Sequence, residues 1–260
     1  MFFSRVKSAL LENDPLAKIS LVDQLYADLI SSHVDMSTHE NIDVIEIPGR
    51  PSYPELVHPA KVARRKLSTE QGRVALVHAI CHIEFNAINL ALDAVYRFQD
   101  MPRDYYIDWM KVAAEESKHF LLLHARLAQL GSHYGEHLAH NGLWEMAIKT
   151  QHSIVERMAL VPRVLEARGL DVTPGMIDRL TTVGDVETVN ILKIILHDEI
   201  GHVETGTKWF RYACEQENID SEATFISLLA EYGVTTGNGP MHIDARQQAG
   251  FSQTELNALS

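Results

Sequence analysis

Two copies of one pattern, an acid followed by Glu-x-x-His, constrain this chain more than any other feature. They are Glu115-Glu116-Ser117-Lys118-His119 and Asp198-Glu199-Ile200-Gly201-His202, about 80 residues apart. Positions i and i+3 of an α-helix share a face one turn apart. Glu116 with His119, and Glu199 with His202, can therefore each grip one cation from a single side. Two such helices need two further carboxylates from the other helices of a bundle, and Glu84 and Glu156 are placed to supply them. The expectation is an all-α, antiparallel four-helix bundle with a carboxylate-bridged two-metal centre.

At 260 residues and 46% hydrophobic, the chain can bury a sizeable core as one domain, 1–260. Its bundle is predicted over residues 68–217. An extra N-terminal helix and proline-rich loop (1–67) precede it, and short C-terminal helices (218–260) follow. No uninterrupted apolar run approaches the roughly 18 residues of a membrane span, and the first turn is too short and too soon followed by Glu12, Asn13 and Asp14 for a secretion leader. Cys81 and Cys214 fall in helical patterns and suggest no disulfide framework. A soluble, cytoplasmic protein is expected. The net charge of −12 argues against a broad nucleic-acid footprint. Lys61, Arg64, Arg65 and Lys66 form one basic cluster, read as a solvated helix face with an anion or RNA contact as the alternative.

Apolar spacing is helical nearly throughout, and residues 42–47 alone alternate like a strand. A first helix is predicted over 15–30, opened by Pro15. The stretch with Pro48, Pro51, Pro54 and Pro59 also holds Ile45, Tyr53 and Leu56, so it is expected to pack across the bundle. Ser68 and Gln71 read as a capping box that opens the first core helix, 68–98. The second runs from Pro102 to a stop at Gly131. The third covers 143–168, bent at Pro162 and ended by Gly169. Thr173-Pro174 opens a short helix interrupted by Gly184, and the fourth core helix covers 186–215. A short helix at 221–232 and a capping box of Ser252 with Glu255 complete the chain.

Glu84 is flanked at i−4, i−3, i+3 and i+4 by Ile80, Cys81, Ala87 and Ile88. An ionised carboxylate on such a face is costly unless it ligates a metal or pairs with a cation from a neighbouring helix. Glu156 follows His152 by one turn and precedes Leu160. Glu55-Leu56-Val57-His58 has the same spacing, but Pro54 and Pro59 deny it a helix. Four carboxylates, Glu84, Glu116, Glu156 and Glu199, balance two divalent ions, while His119 and His202 bind as neutral imidazoles. Oxygen-rich ligation with one imidazole per ion suits two irons, or manganese with iron, better than structural zinc.

The acids that precede each Glu gain a role, because a ligating His donates its other N–H to something. Asp198 is expected to orient His119, and Glu115 to orient His202 or else to face solvent. His152 is read as an outer partner of the ligands, with direct ligation as the alternative. Ile80, Cys81 and Ile88 are expected to line the oxygen or substrate pocket. His78 and His82 read as hydrogen-bonding groups, and His133, His137 and His140 as members of a solvated connection.

With the order Glu, Glu-x-x-His, Glu, Glu-x-x-His in place, the chain resembles the ferritin-like di-iron carboxylate superfamily. The segments HAICHIEFNAINLALD, EESKHFLLLHARLAQLG, HDEIGHVETGTKWF, PGRPSYPELVHP and GPMHIDARQQAGF look like the bacterial family catalogued as domain of unknown function 455, over nearly the whole chain. Members of that family often read Pro-Phe-Asn where this chain has Pro240-Met241-His242. The resemblance implies fold and metal type. The function expected is an O₂-dependent di-iron oxidoreductase acting on a small organic substrate, served by an electron donor, in a monomer or small homo-oligomer. Iron storage of the bacterioferritin type and a non-catalytic helical scaffold are the alternatives.

Overall fold

Every regular element among the described residues is helical. The computed structural model describes residues 1–31, 34–36, 41–62, 65–234 and 239–259. Arg64 lies outside the described residues, and Lys61, Arg65 and Lys66 are exposed. The chain forms two compact units, Met1–Ile148 and Lys149–Ser260.

In the N-terminal unit, α1 (Phe2–Leu11) precedes the expected α2 (Pro15–Ser31). No helix is predicted before residue 15, yet Phe2, Phe3, Val6, Ala9 and Leu10 form a fully buried stripe at helical spacing. The end of α1 is held by Lys18 of α2, itself buried, whose Nζ donates to Ala9 O (2.9 Å), Leu10 O (2.8 Å) and Asn89 Oδ1 (2.7 Å). Gly49 passes so close to this helix end that a Cβ there would lie 2.2 Å from the Leu11 carbonyl carbon.

Burial pushes the Lys18 ammonium down to about 7. The unfolded chain therefore binds the extra proton between pH 7 and 10.5, and this side chain adds stability as pH rises through that window. The difference in unfolding free energy between the wild type and Lys18→Met is expected to grow by roughly 1.5 kcal/mol from pH 7 to 8.5. A difference that stays flat in urea titrations at the two pH values would show that Lys18 remains charged when buried.

Residues 42–47 form no strand. Their backbone is satisfied by side chains instead: Asp43 N donates to Tyr96 Oη (2.9 Å) and Glu46 O accepts from Trp144 Nε1 (3.0 Å). With no neighbouring strand to pair with, alternation alone cannot make a sheet. One isolated bridge, Leu56 with Ala139, ties the proline-rich stretch to the loop after α4.

α3 (Glu70–Arg97) and α4 (Arg103–Gln129) are the long helices of this unit, joined by a short connection and packed against each other. The cap of α3 is Thr69 rather than Ser68, because the Thr69 hydroxyl is the one that accepts from Gly72 N (3.1 Å). α3 is long and apolar enough to cross a membrane by composition alone, but most of its apolar stretch is buried in protein. α5 (Gly142–Lys149) buries Trp144 and Ala147.

In the C-terminal unit the expected helix over 143–168 is broken. After α5 the chain turns, with Thr150 Oγ1 accepting from the buried Arg157 Nε (2.9 Å). Ser153 then caps α6 (Ile154–Leu160) through its hydroxyl. Pro162 lies in a π-helical segment, Val161–Glu166, whose wider ring absorbs the missing N–H without ending the helix. α7 (Ala167–Thr182) runs on through Gly169 and Pro174, neither of which acts as the expected boundary. Buried Leu170 and Leu180 anchor it on both sides of the proline. α8 (Val186–Gln216) begins at the Asp185 cap just after Gly184, as expected.

α9 (Ser221–Glu231), α10 (Ile243–Gln248) and α11 (Gln253–Ala258) follow. His242 caps α10 through Nδ1, which accepts from Ala245 N (3.1 Å), a job that Asn also does well. The expected capping box of Ser252 and Glu255 is present in full.

Candidate metal centre

In the N-terminal unit, Glu84 at the middle of α3 meets Glu116 and His119 at the middle of α4. His119 Nδ1 lies 3.2 Å from Glu84 Oε2 and 3.3 Å from Glu116 Oε2. All three side chains are buried, and their ligand atoms lie within 4.8 Å of one another. The groups that face Glu84 here are the His119 imidazole and the Glu116 carboxylate. This cluster could hold a metal ion.

Its electrostatics follow from burial. Desolvation raises Glu84 well above the usual carboxylate range, and the neighbouring Glu116 carboxylate raises it further. Burial opposes charge on His119 too, but the hydrogen bonds its ring N–H donates to the Glu116 and Glu84 carboxylates outweigh it and carry the imidazole up to about 11. A site in which two carboxylates compete for one proton on an imidazole is a site that a cation would relieve.

Ile80, Cys81 and Ile88 are buried around Glu84. The Cys81 thiol points to Phe120 O at 3.9 Å, and burial, then Glu84, push it upward, so it stays protonated rather than offering a thiolate. Glu115 is half-buried, with Lys111 Nζ 3.6 Å away one turn back.

In the C-terminal unit, His202 is buried on α8 with Nδ1 3.7 Å from Glu199 Oε1, and Glu199 and Asp198 are half-buried. The i, i+3 geometry expected of the second motif is thus realised. Glu156, on the first turn of α6, is held at both oxygens. His152 Nε2 contacts Oε1 at 3.1 Å, and the Tyr232 hydroxyl donates to Oε2 through a short hydrogen bond. His152 sits in the turn before α6 and is largely exposed, so it reaches Glu156 from a loop rather than along a helix. Burial, then the Glu156 carboxylate, push the Tyr232 phenol up to about 12, which keeps it a donor. Nothing in the spacing around Tyr232 marks it, because its partner lies 76 positions earlier.

One turn beyond His202, Gly206 receives the π-segment. A Cβ at Gly206 would lie 2.4 Å from the Pro162 ring, so the glycine is what lets this proline pack on α8.

The remaining histidines divide. His78 and His82 are buried, and desolvation takes both down to about 4, leaving neutral rings that hydrogen-bond as expected. The connection after α4 is not merely solvated, because His82 Nδ1 binds Tyr134 Oη (2.9 Å) and His78 Nε2 accepts from Gly135 N (2.9 Å). Only His133 is well exposed there. Glu55 and His58 lie in the proline-rich stretch outside any α-helix, where His58 caps the 3₁₀ turn Pro59–Lys61.

A family model described as protein of unknown function (DUF455) matches residues 11–257. The chain belongs to the DUF455 family. A Haemophilus influenzae protein, described as an uncharacterized protein, is 44% identical over 266 residues, covering 98% of this chain and 92% of its own. No solved structure matches the chain. Both motifs, Glu84 and Glu156 all lie within the part matched by the DUF455 model.

Proposed function

We propose that this DUF455 protein is a ferritin-like four-helix bundle that carries a two-metal carboxylate centre and acts as an O₂-dependent oxidoreductase on a small organic substrate. The buried Glu84–Glu116–His119 cluster carries this reading. Two carboxylates taken out of water side by side repel one another, and a bound cation offsets that cost. Glu199 and His202 repeat the pair on α8, and Glu156 supplies the fourth carboxylate, so six residues would hold two divalent ions with their charge balanced.

Bound iron would supply the redox chemistry with O₂. The chain's own residues do the rest. Ile80 and Ile88 keep water from Glu84, and the protonated Cys81 thiol stays out of the ligand set. Tyr232 and His152 fix the Glu156 carboxylate from both sides, and Asp198 and Glu115 are the acids assigned to orient the histidines.

Anaerobic loading with ferrous iron tests the reading. Two ions retained per chain after desalting, O₂ uptake on exposure to air, and a monomer or small oligomer by light scattering are the expected results. A chain that retains no iron would sink the metal reading, and a shell of many subunits would turn it toward iron storage.

A further inference from the structure

The proline-rich stretch and the loop after α4 take no part in the proposed centre, and they build a site of their own. With the start of α2 and part of α4 they enclose a cleft of about 620 Å³, lined by Asp14, Pro51, Tyr53, Phe120, His124 and Tyr134 among others. All of these belong to the N-terminal unit.

Its floor is aromatic and fixed. Phe120 and Tyr134 meet edge to face with centroids 5.2 Å apart, and His124 stacks on Phe120 at 5.7 Å. The Tyr134 ring cannot turn freely, because its hydroxyl is bound by His82 and its face stacks on His78 at 5.6 Å. The rim is set by Gly135, at φ +104, where an added Cβ would come 3.2 Å from Tyr53 Cβ. That close approach seats Tyr53 beside the loop, with the residue 67% exposed and available to a ligand. Asp14 supplies the one formal charge among the lining residues described. Its Oδ1 caps α2 by accepting from Ala17 N (2.8 Å), which holds the carboxylate at the cleft.

We propose that this cleft binds a small, flat aromatic amine. Ring faces and edges of this kind hold flat aromatic ligands by offset and edge contacts. Arg50 lies beside the cleft, but its guanidinium is engaged by Pro51 O and Pro54 O (3.1 Å each), so Asp14 is the charge left facing a ligand; it favours a cation over an anion, and an exposed Tyr face adds to that preference. The volume falls in the range of small-molecule sites. The cleft needs no metal, so its test stands apart from that of the proposed centre.

Tryptamine serves as the probe and indole-3-acetate as its anionic counterpart, titrated calorimetrically into the full chain at pH 8. Saturable binding of one tryptamine per chain is expected, at least about ten-fold tighter than indole-3-acetate. Tyr53→Ala should weaken tryptamine roughly three- to ten-fold. Asp14→Asn keeps a competent helix cap and should remove most of the preference for the amine. Both positions are exposed, and unchanged circular dichroism would verify that the variants fold. Absence of saturable tryptamine binding, equal affinity for the anion, or binding unmoved by Tyr53→Ala would each overturn the proposal.

Discussion

Replacing Glu116 by Gln is expected to strip the protein of iron while leaving its helices intact. The substitution keeps the volume of a fully buried side chain and removes one ionisable oxygen pair from the cluster with Glu84 and His119. Loss of an outer partner of a metal ligand commonly lowers affinity about 10- to 100-fold, and loss of a ligand should exceed that. Iron measured after desalting should fall from two ions per chain to a small residue. The metal-free variant should unfold at a urea concentration equal to or above that of the metal-free wild type, because one of two buried, mutually repelling carboxylates has gone and Glu84 keeps His119 as its partner. A packing residue would behave in the opposite way. Glu55→Gln, in the motif of equal spacing that the prolines keep from helicity, should leave iron content unchanged. If Glu116→Gln retained both ions, the ligand assignment would be wrong. If it lost iron together with several kcal/mol of stability, Glu116 would be structural.

The cluster was legible because its chemistry conflicts with its surroundings. A Glu between Ile80, Cys81 and Ile88 is conspicuous at any helical register, and the two Glu-x-x-His pairs fix which faces of α4 and α8 turn inward. What escaped the sequence is burial of a different kind. His78 and His82 read as hydrogen-bonding groups, but the interior stripe they begin on α3 continues through Asn86, Asn89, Asp93 and Arg97, all buried. Periodicity reads such a stripe as a solvent face, yet its groups pair with Tyr134, Lys18 and one another. Lys18 and α1 were overlooked for the same reason, since their value lies in what they cover. Tyr232 and the break before Ser153 depend on contacts made across the chain or on a cap whose competitor, a continuous helix, has equal local propensity. Pro162 marks where the helix departs from α geometry, and a π-helical segment lies there. Whether a proline kinks a helix or widens it into a π turn depends on the neighbour that receives the ring, here Gly206.

Loss of the Glu255 carboxylate should destabilise the C-terminal unit by about 3–5 kcal/mol, the usual cost of leaving a buried charge without its partner. Arg163, in the π-segment beside Pro162, is fully buried, with Nη2 2.7 Å from Glu255 Oε1 and Nε 3.2 Å from Thr207 Oγ1. The rings of Phe210, Phe225 and Phe251 surround its guanidinium at 4.7, 4.1 and 4.5 Å. These rings attract a cation but cannot replace an anion, and burial makes the charge on Arg163 costly to hold. Glu255 also closes the cap of α11 by accepting from Ser252 N (2.9 Å), so Glu255→Ala removes two interactions at once. Ser252→Ala separates them. It breaks the other half of the cap, together with the hydrogen bond the hydroxyl donates to Glu222, and should cost about 1–2 kcal/mol. The double variant Arg163→Met with Glu255→Leu should recover most of the loss, because a well-packed apolar pair can match a buried ion pair in stability. Urea unfolding of the wild type and these three variants measures each difference. If Glu255→Ala cost no more than Ser252→Ala, the aromatic cage would stabilise Arg163 without help from the carboxylate.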